Sequence, residues 1–155
     1  FRHPGQPEAP LQRQAARLLA EGAVLEELLG RPDMADRFRR RAAGLLLIAR
    51  RDPALAEERE VLVELLQLLA LVDDEHLDPE LQSGLAGAYE DAGLLARALA
   101  VHLRAARRKA PGAHDAAMAF VDRCWSGGDD RLAAGRLTSQ DVLDATTTLL
   151  LGPST

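Results

Sequence analysis

No stretch of this chain alternates apolar and polar residues, and its β-branched residues are few and scattered, so nothing in it specifies a strand. What recurs is apolar spacing of three and four, the period of a helix that buries one face. That period is cut by Gly30-Arg31-Pro32, Asp52-Pro53, Asp78-Pro79, Gly93 and Ala110-Pro111-Gly112. The fold class that follows is all-α, built of antiparallel helix pairs joined by short connections.

Reading between the cuts predicts seven helices. Residues 1–10 hold three prolines and no apolar period, which predicts a flexible N-terminal segment. In 11–29, Leu11, Ala15, Leu18, Ala23, Leu25 and Leu29 make the apolar stripe. Asp33 caps a helix to about residue 50, with Phe38, Ala42, Leu45, Leu46 and Ala49 on one side. Asp52-Pro53 starts a third helix to about residue 72: the carboxylate caps it, and the proline lacks only an N–H that would be unpaired there. Its last turns, within "VLVELLQLLALV" (61–72), are apolar nearly all round, which makes it the most central element. Asp78-Pro79-Glu80 opens a helix to about residue 91, and helices over 94–109 and 113–125 follow. "SGGDDRLAAGR" (126–136) reads as a polar, glycine-rich loop. Thr138 with Asp141 three residues on resembles a capping box at the start of the last helix, which ends at 151.

At 155 residues the chain is about the size of one domain, and residues 11–151 are assigned to a single helical domain. Aromatic residues make up only 3%, so the helices must meet through leucine and alanine, and small alanines let backbones approach closely. The net charge of −5 gives no global reason to bind nucleic acid or an anionic membrane. The longest central apolar run is too short for a membrane span and carries Glu64 and Gln67. No signal-peptide pattern is present, and a first residue of Phe1 rather than Met reads as a processed or excised chain. Cys124, the single cysteine, is flanked by Val121 and Trp125 and reads as a small buried hydrophobe, which fits a reducing, cytoplasmic setting.

Leu85, Tyr89, Gly93, Ala98 and Ala105 fall where the tetratricopeptide-repeat pattern places a leucine, a tyrosine, a turn glycine and two close-packing alanines. Residues 79–111 therefore resemble one such repeat. Gln82 stands in place of its usual tryptophan, Ala86 of a glycine and His102 of an aromatic, and Pro111 comes one residue late. Repeats of this kind stack, so 33–50 with 54–72, and 113–125 with 138–151, are the neighbouring pairs that the helix count offers. The resemblance implies a right-handed superhelical fragment with ligand-facing positions Glu80, Ser83, Gly87, Glu90 and Asp91. These make an acidic groove, complementary to a basic or neutral segment of another protein.

Other chemistry is weighed against this. Arg37, Arg40 and Arg41 on one helix and Arg104 and Arg108 on another would form a basic patch if they stacked, but no aromatic platform accompanies them and nucleic-acid binding is not expected. His76 among Asp73, Asp74, Glu75 and Asp78 matches no calcium loop and offers one imidazole, so no metal site is assigned. No glycine loop cradles a phosphate, His114 and Cys124 lie nearly three helical turns apart, and no catalytic residue or cofactor is assigned. The expectation is a non-catalytic protein-interaction module, free, dimeric or part of a larger regulator or scaffold. The alternative is a regulatory domain holding a small molecule in an apolar cavity lined by residues 45–49 and 61–72. A subunit that only completes an assembly would instead present a flat apolar patch.

Overall fold

A computed structural model describes residues 8–151. Among them the chain is helical throughout, with no strand. The helices are α1 (Glu8–Leu28), α2 (Pro32–Ala49), α3 (Pro53–Ala56), α4 (Arg59–Leu69), α5 (Gln82–Asp91), α6 (Leu95–Arg107), α7 (Ala113–Ser126), α8 (Gly128–Ala134) and α9 (Ser139–Leu151). Single 3₁₀ turns occupy Asp74–His76 and Pro79–Leu81. Of the segment assigned to 1–10, Glu8, Ala9 and Pro10 already belong to α1. Its other residues lie outside the described ones.

Four helix ends close in the same way. Gly30, Gly93, Lys109 and Arg136 all have positive φ and follow α1, α5, α6 and α8. At each, two backbone N–H groups reach back in a Schellman pattern: Gly93 to the Glu90 carbonyl at 2.9 Å and Leu94 to Tyr89 at 2.8 Å, for example. After α8 the pattern includes its apolar clasp, since Leu137 donates to the Leu132 carbonyl and both side chains are buried. Lys109 (φ 54°) and Arg136 (φ 63°) carry a Cβ in a region that disfavours one. Lys109→Gly and Arg136→Gly are each expected to stabilise the fold by about 0.5–1 kcal/mol, read as a higher urea midpoint.

The expected starts hold at two sites. The Asp52 carboxylate accepts from Ala54 N–H at 3.0 Å. Thr138 and Asp141 cap each other reciprocally, Asp141 N–H to Thr138 Oγ1 at 3.1 Å and Thr138 N–H to Asp141 Oδ2 at 2.8 Å.

Four boundaries differ from expectation. The helix expected to open at Asp78-Pro79-Glu80 begins at Gln82 instead, because Pro79–Leu81 forms a 3₁₀ turn and the Asp78 side chain makes no cap hydrogen bond. Arg31, not Asp33, is the N-cap of α2, with Pro32 as its first residue and Asp33 in the first turn, where its charge suits the helix dipole. The helix expected over 53–72 breaks at Glu57-Glu58 into α3 and α4. On a continuous helix Leu55 would lie roughly a third of a turn away from Val61, Leu65 and Leu68; with the break, all four are buried. The segment 126–136 is not a loop: Gly128, at φ 78°, turns the chain and α8 forms around the buried Leu132. One inward leucine among helix-forming residues outweighs the flanking glycines and aspartates.

The packing divides into two compact units, with the boundary between Gly84 and Leu85 inside α5. In the first, α1 and α2 form a hairpin turned by Gly30 and make the most extensive helix–helix contact in the chain. Ala9, Ala16 and Ala23 of α1 and Ala35, Ala42 and Ala49 of α2 are all buried, and both sets step by seven residues. Running in opposite directions at the same step, they stay level along the hairpin. Gly22 extends the seam, since a Cβ there would meet the Phe38 ring at 3.1 Å. Only small residues allow an approach this close.

This seam overturns the stripe expected of α1. The inward face is alanine, and Leu11, Leu18, Leu25 and Leu29 point to solvent, Leu18 at 64% and Leu25 at 61% exposure. α4 packs on α2 through Val61, Leu65, Leu68 and Leu69, but Val63, and Leu71 just past its end, are exposed, so the segment is less enclosed than its composition implied. Between α1 and α4 the links are ionic: Arg13 reaches Glu58 and Glu64 at 3.0 Å, and Arg17 reaches Glu64 at 2.6 Å.

In the second unit α6, α7 and α9 pack together, with α8 against α7. Tyr89, Leu95, Val101, Phe120, Val121, Cys124, Leu132 and Val142 are buried to within 2%. The approach of α6 is very close at Gly135, where a Cβ would lie 2.5 Å from Leu95 Cγ. The Gly135 carbonyl accepts from Ala96 N–H at 3.0 Å, satisfying the first turn of α6, which has no side-chain cap.

Candidate functional site

The five positions assigned to an acidic groove have different fates. Glu80 and Ser83 are exposed and belong to the first unit; Gly87, Glu90 and Asp91 belong to the second. Glu90 is the most firmly committed. Arg123 of α7 grips it with two hydrogen bonds of 2.7 Å, from Nε and Nη2, and Arg131 of α8 lies 3.7 Å away. The Arg123 hydrogen bonds hold the Glu90 carboxyl below the usual carboxylate range, against the opposing effect of partial burial. This carboxylate braces α5 against α7 and α8 and contributes little net negative charge to a ligand. Gly87 is half-buried, and Asp91 is exposed.

The arginines divide in the same way. Arg37 and Arg41 are exposed on α2, and Arg40 pairs with Asp36 one turn back at 2.9 Å. Arg104 and Arg108 lie in the second unit, on α6 and at its C-cap.

The residues that depart from the repeat pattern are structurally satisfied. Gln82 is buried and donates from Nε2 to the carbonyls of Leu77 at 3.2 Å and Asp74 at 3.3 Å. Ala86 is buried, where a side chain larger than glycine fits. His102 is buried with its ring 4.8 Å from that of Phe120, tilted by 31°.

Burial pushes the His102 pKa down, with Glu90 opposing and Arg123 assisting. A histidine whose folded value lies below its unfolded value, near 6.5, binds its proton more readily when unfolded. Stability is then retained above that pH and lost as pH falls through it, at no more than about 1.4 kcal/mol per pH unit for one proton. Thermal melts between pH 7.5 and 5.5 should show a steeper fall for the wild type than for His102→Phe.

Cys124 is buried, and burial pushes its thiol pKa up, the reverse of what a nucleophile needs. His114 is exposed at the other end of α7. Among the described residues no group of three or more His, Cys, Asp or Glu side chains could hold a metal ion, and no helix is long and apolar enough to cross a membrane.

Two features went unread in the sequence. One is the outward leucine face of α1, with Leu11, Leu18, Leu25 and Leu29 all more than half exposed. The other is a slot of about 370 Å³ in the first unit, walled by Ala16, Ala20 and Val24 of α1 and Leu68 of α4, with Leu46 and Arg39 of α2 beneath. It includes parts of the two segments named for an internal cavity, but it is open and has α1 as its third wall. In the second unit Leu99, Leu103 and Ala145 line a shallow groove beside Asp141 and Asp144.

The chain is thus an all-α protein of packed helices in two units, consistent with a helical bundle or repeat arrangement. No family model, curated protein or solved structure matches it.

Proposed function

We propose that this chain is a non-catalytic protein–protein interaction module that recognises a helix of a partner protein, within a larger cytoplasmic regulator or scaffold. The observation that carries the reading is α1 itself. Its inner face is committed to α2 through alanines, while Leu11, Leu18, Leu25 and Leu29 form a continuous outward stripe along the helix. An apolar stripe of this length is costly to leave in water and is the form in which one amphipathic helix is read by another. Gln14 and Glu21 border it, so the complement is an apolar helix face with neutral or basic flanks. In the same reading residues 79–111 are a tetratricopeptide-like unit. Its support is the buried Leu85, Tyr89 and Ala98, and the left-handed Gly93 between α5 and α6.

The test is affinity capture from source-cell lysate with mass spectrometry, comparing the wild type with a Leu18→Glu/Leu25→Glu variant. Both positions are exposed, so the variant is expected to keep its helical circular dichroism. One defined protein retained by the wild type and lost from the variant is the expected result. Equal retention by both, or by neither, overturns the reading.

A further inference from the structure

The slot between α1 and α4 raises a separate question, independent of the partner reading. Its lining is mostly apolar, yet Arg39 is part of it, together with Arg17, Glu21, Glu64 and Gln67. The Arg39 side chain is only 10% exposed and makes a single ion pair, from Nη1 to Glu27 Oε1 at 2.7 Å. Among the described residues nothing hydrogen-bonds to its Nε or Nη2. This is the side-on edge by which arginine grips a carboxylate with two parallel bonds. Two other arginines show that edge in use: Arg123 spends it on Glu90 at 2.7 and 2.7 Å, and Arg13 spends it on Glu64 at 3.4 and 3.0 Å.

Among the charged residues that line the slot Arg39 is the unspent donor, and Gln67, also on its wall, is a neutral exposed amide. Arg17 is committed to Glu64 through Nε and Nη2 and is more than half exposed. Glu64 is shared between Arg13 and Arg17, whose hydrogen bonds keep it ionised despite its partial burial. Glu21 is exposed at the rim. Glu27 occupies only the Nη1 corner of Arg39 and is itself half in water. A buried cation with a free bidentate edge, on a residue that lines a mostly apolar slot, has the chemistry to receive an anion attached to a hydrocarbon body.

We propose that this slot binds a small aliphatic carboxylate, with its chain against Ala20, Leu46 and Leu68 and its carboxylate on the Nε–Nη2 edge of Arg39. At about 370 Å³ the space falls within the ~300–1,000 Å³ of ordinary small-molecule sites and suits an acid of medium chain length.

The experiment is isothermal titration calorimetry of the whole chain with octanoate, octylammonium and acetate. Octanoate should bind saturably at one site, with octylammonium and acetate each at least about tenfold weaker, since one lacks the anion and the other the chain. Arg39→Met should weaken octanoate by about tenfold or more. Ala20→Phe, at a half-buried wall position away from the ion pair, should do the same by filling the slot, and it keeps the test decisive if loss of Arg39 disturbs the fold. No saturable octanoate binding up to about 10 mM, equal binding of octylammonium, or unchanged affinity in Ala20→Phe would each overturn the proposal.

Discussion

Gly135→Ala is expected to destabilise the second unit by about 3 kcal/mol, the upper part of the range for overpacking a closed site. The reason is steric rather than conformational. The added methyl would lie 2.5 Å from Leu95 Cγ and 2.6 Å from Leu95 Cβ. The Cβ cannot rotate away, because it is fixed to the α6 backbone. Moving the backbone instead would break the hydrogen bond from Ala96 N–H to the Gly135 carbonyl. Truncation at the neighbour brings no relief, so Leu95→Ala/Gly135→Ala should remain at least as unstable as Gly135→Ala alone. Trp125, the only tryptophan, lies in this unit, so its fluorescence in a urea titration follows the unit concerned. A midpoint within error of the wild type would show that α8 can move off α6 at little cost.

Ala42→Leu should have an effect of similar size in the first unit. Ala42 is wholly buried in the middle of the seam, with Ala35 and Ala49 one step of seven to either side. A leucine there adds three carbons where the α1 backbone already stands close, and it can be housed only by prising the hairpin open. About 3 kcal/mol is again expected, with faster amide exchange along α1 as the signature. The matching control is Leu18→Ala on the outer face, expected to fall within about 0.5 kcal/mol of the wild type. Equal effects at the two positions would mean that α1 rests on α2 by its leucines after all.

The contrast between these two positions also shows what the sequence could and could not convey. Local chemistry was legible wherever one residue and its near neighbours decide the outcome. Asp52 caps, Gly93 turns, and Thr138 and Asp141 form their reciprocal pair. The facing of α1 was not legible, because Leu11-Leu18-Leu25 and Ala9-Ala16-Ala23 share one period on opposite sides of the helix. Hydrophobicity alone ranks the leucines inward, and the choice is made by the alanines of α2, which lie beyond the reach of a single-helix argument.

Arg39 is a different kind of miss. Within "RFRRR" it looks like one more solvated charge, yet it stands four residues from Ala35 and three from Ala42, on the buried stripe of α2. That spacing was a usable signal. Glu90, by contrast, shows in the sequence as a charge but not as a partner, since its hold on Arg123, 33 residues away, exists only once α5 and α7 are packed.

The alanine seam has a consequence for how the chain can change. Along α1, the positions that hold the hairpin and those that face outward are disjoint, on opposite sides of one helix. At Ala9, Ala16 and Ala23 the permitted alphabet is almost a single letter, whereas at Leu11, Leu18 and Leu25 nearly any helix-forming residue leaves the hairpin intact. The outer face can therefore be rewritten for a new purpose without renegotiating the fold beneath it.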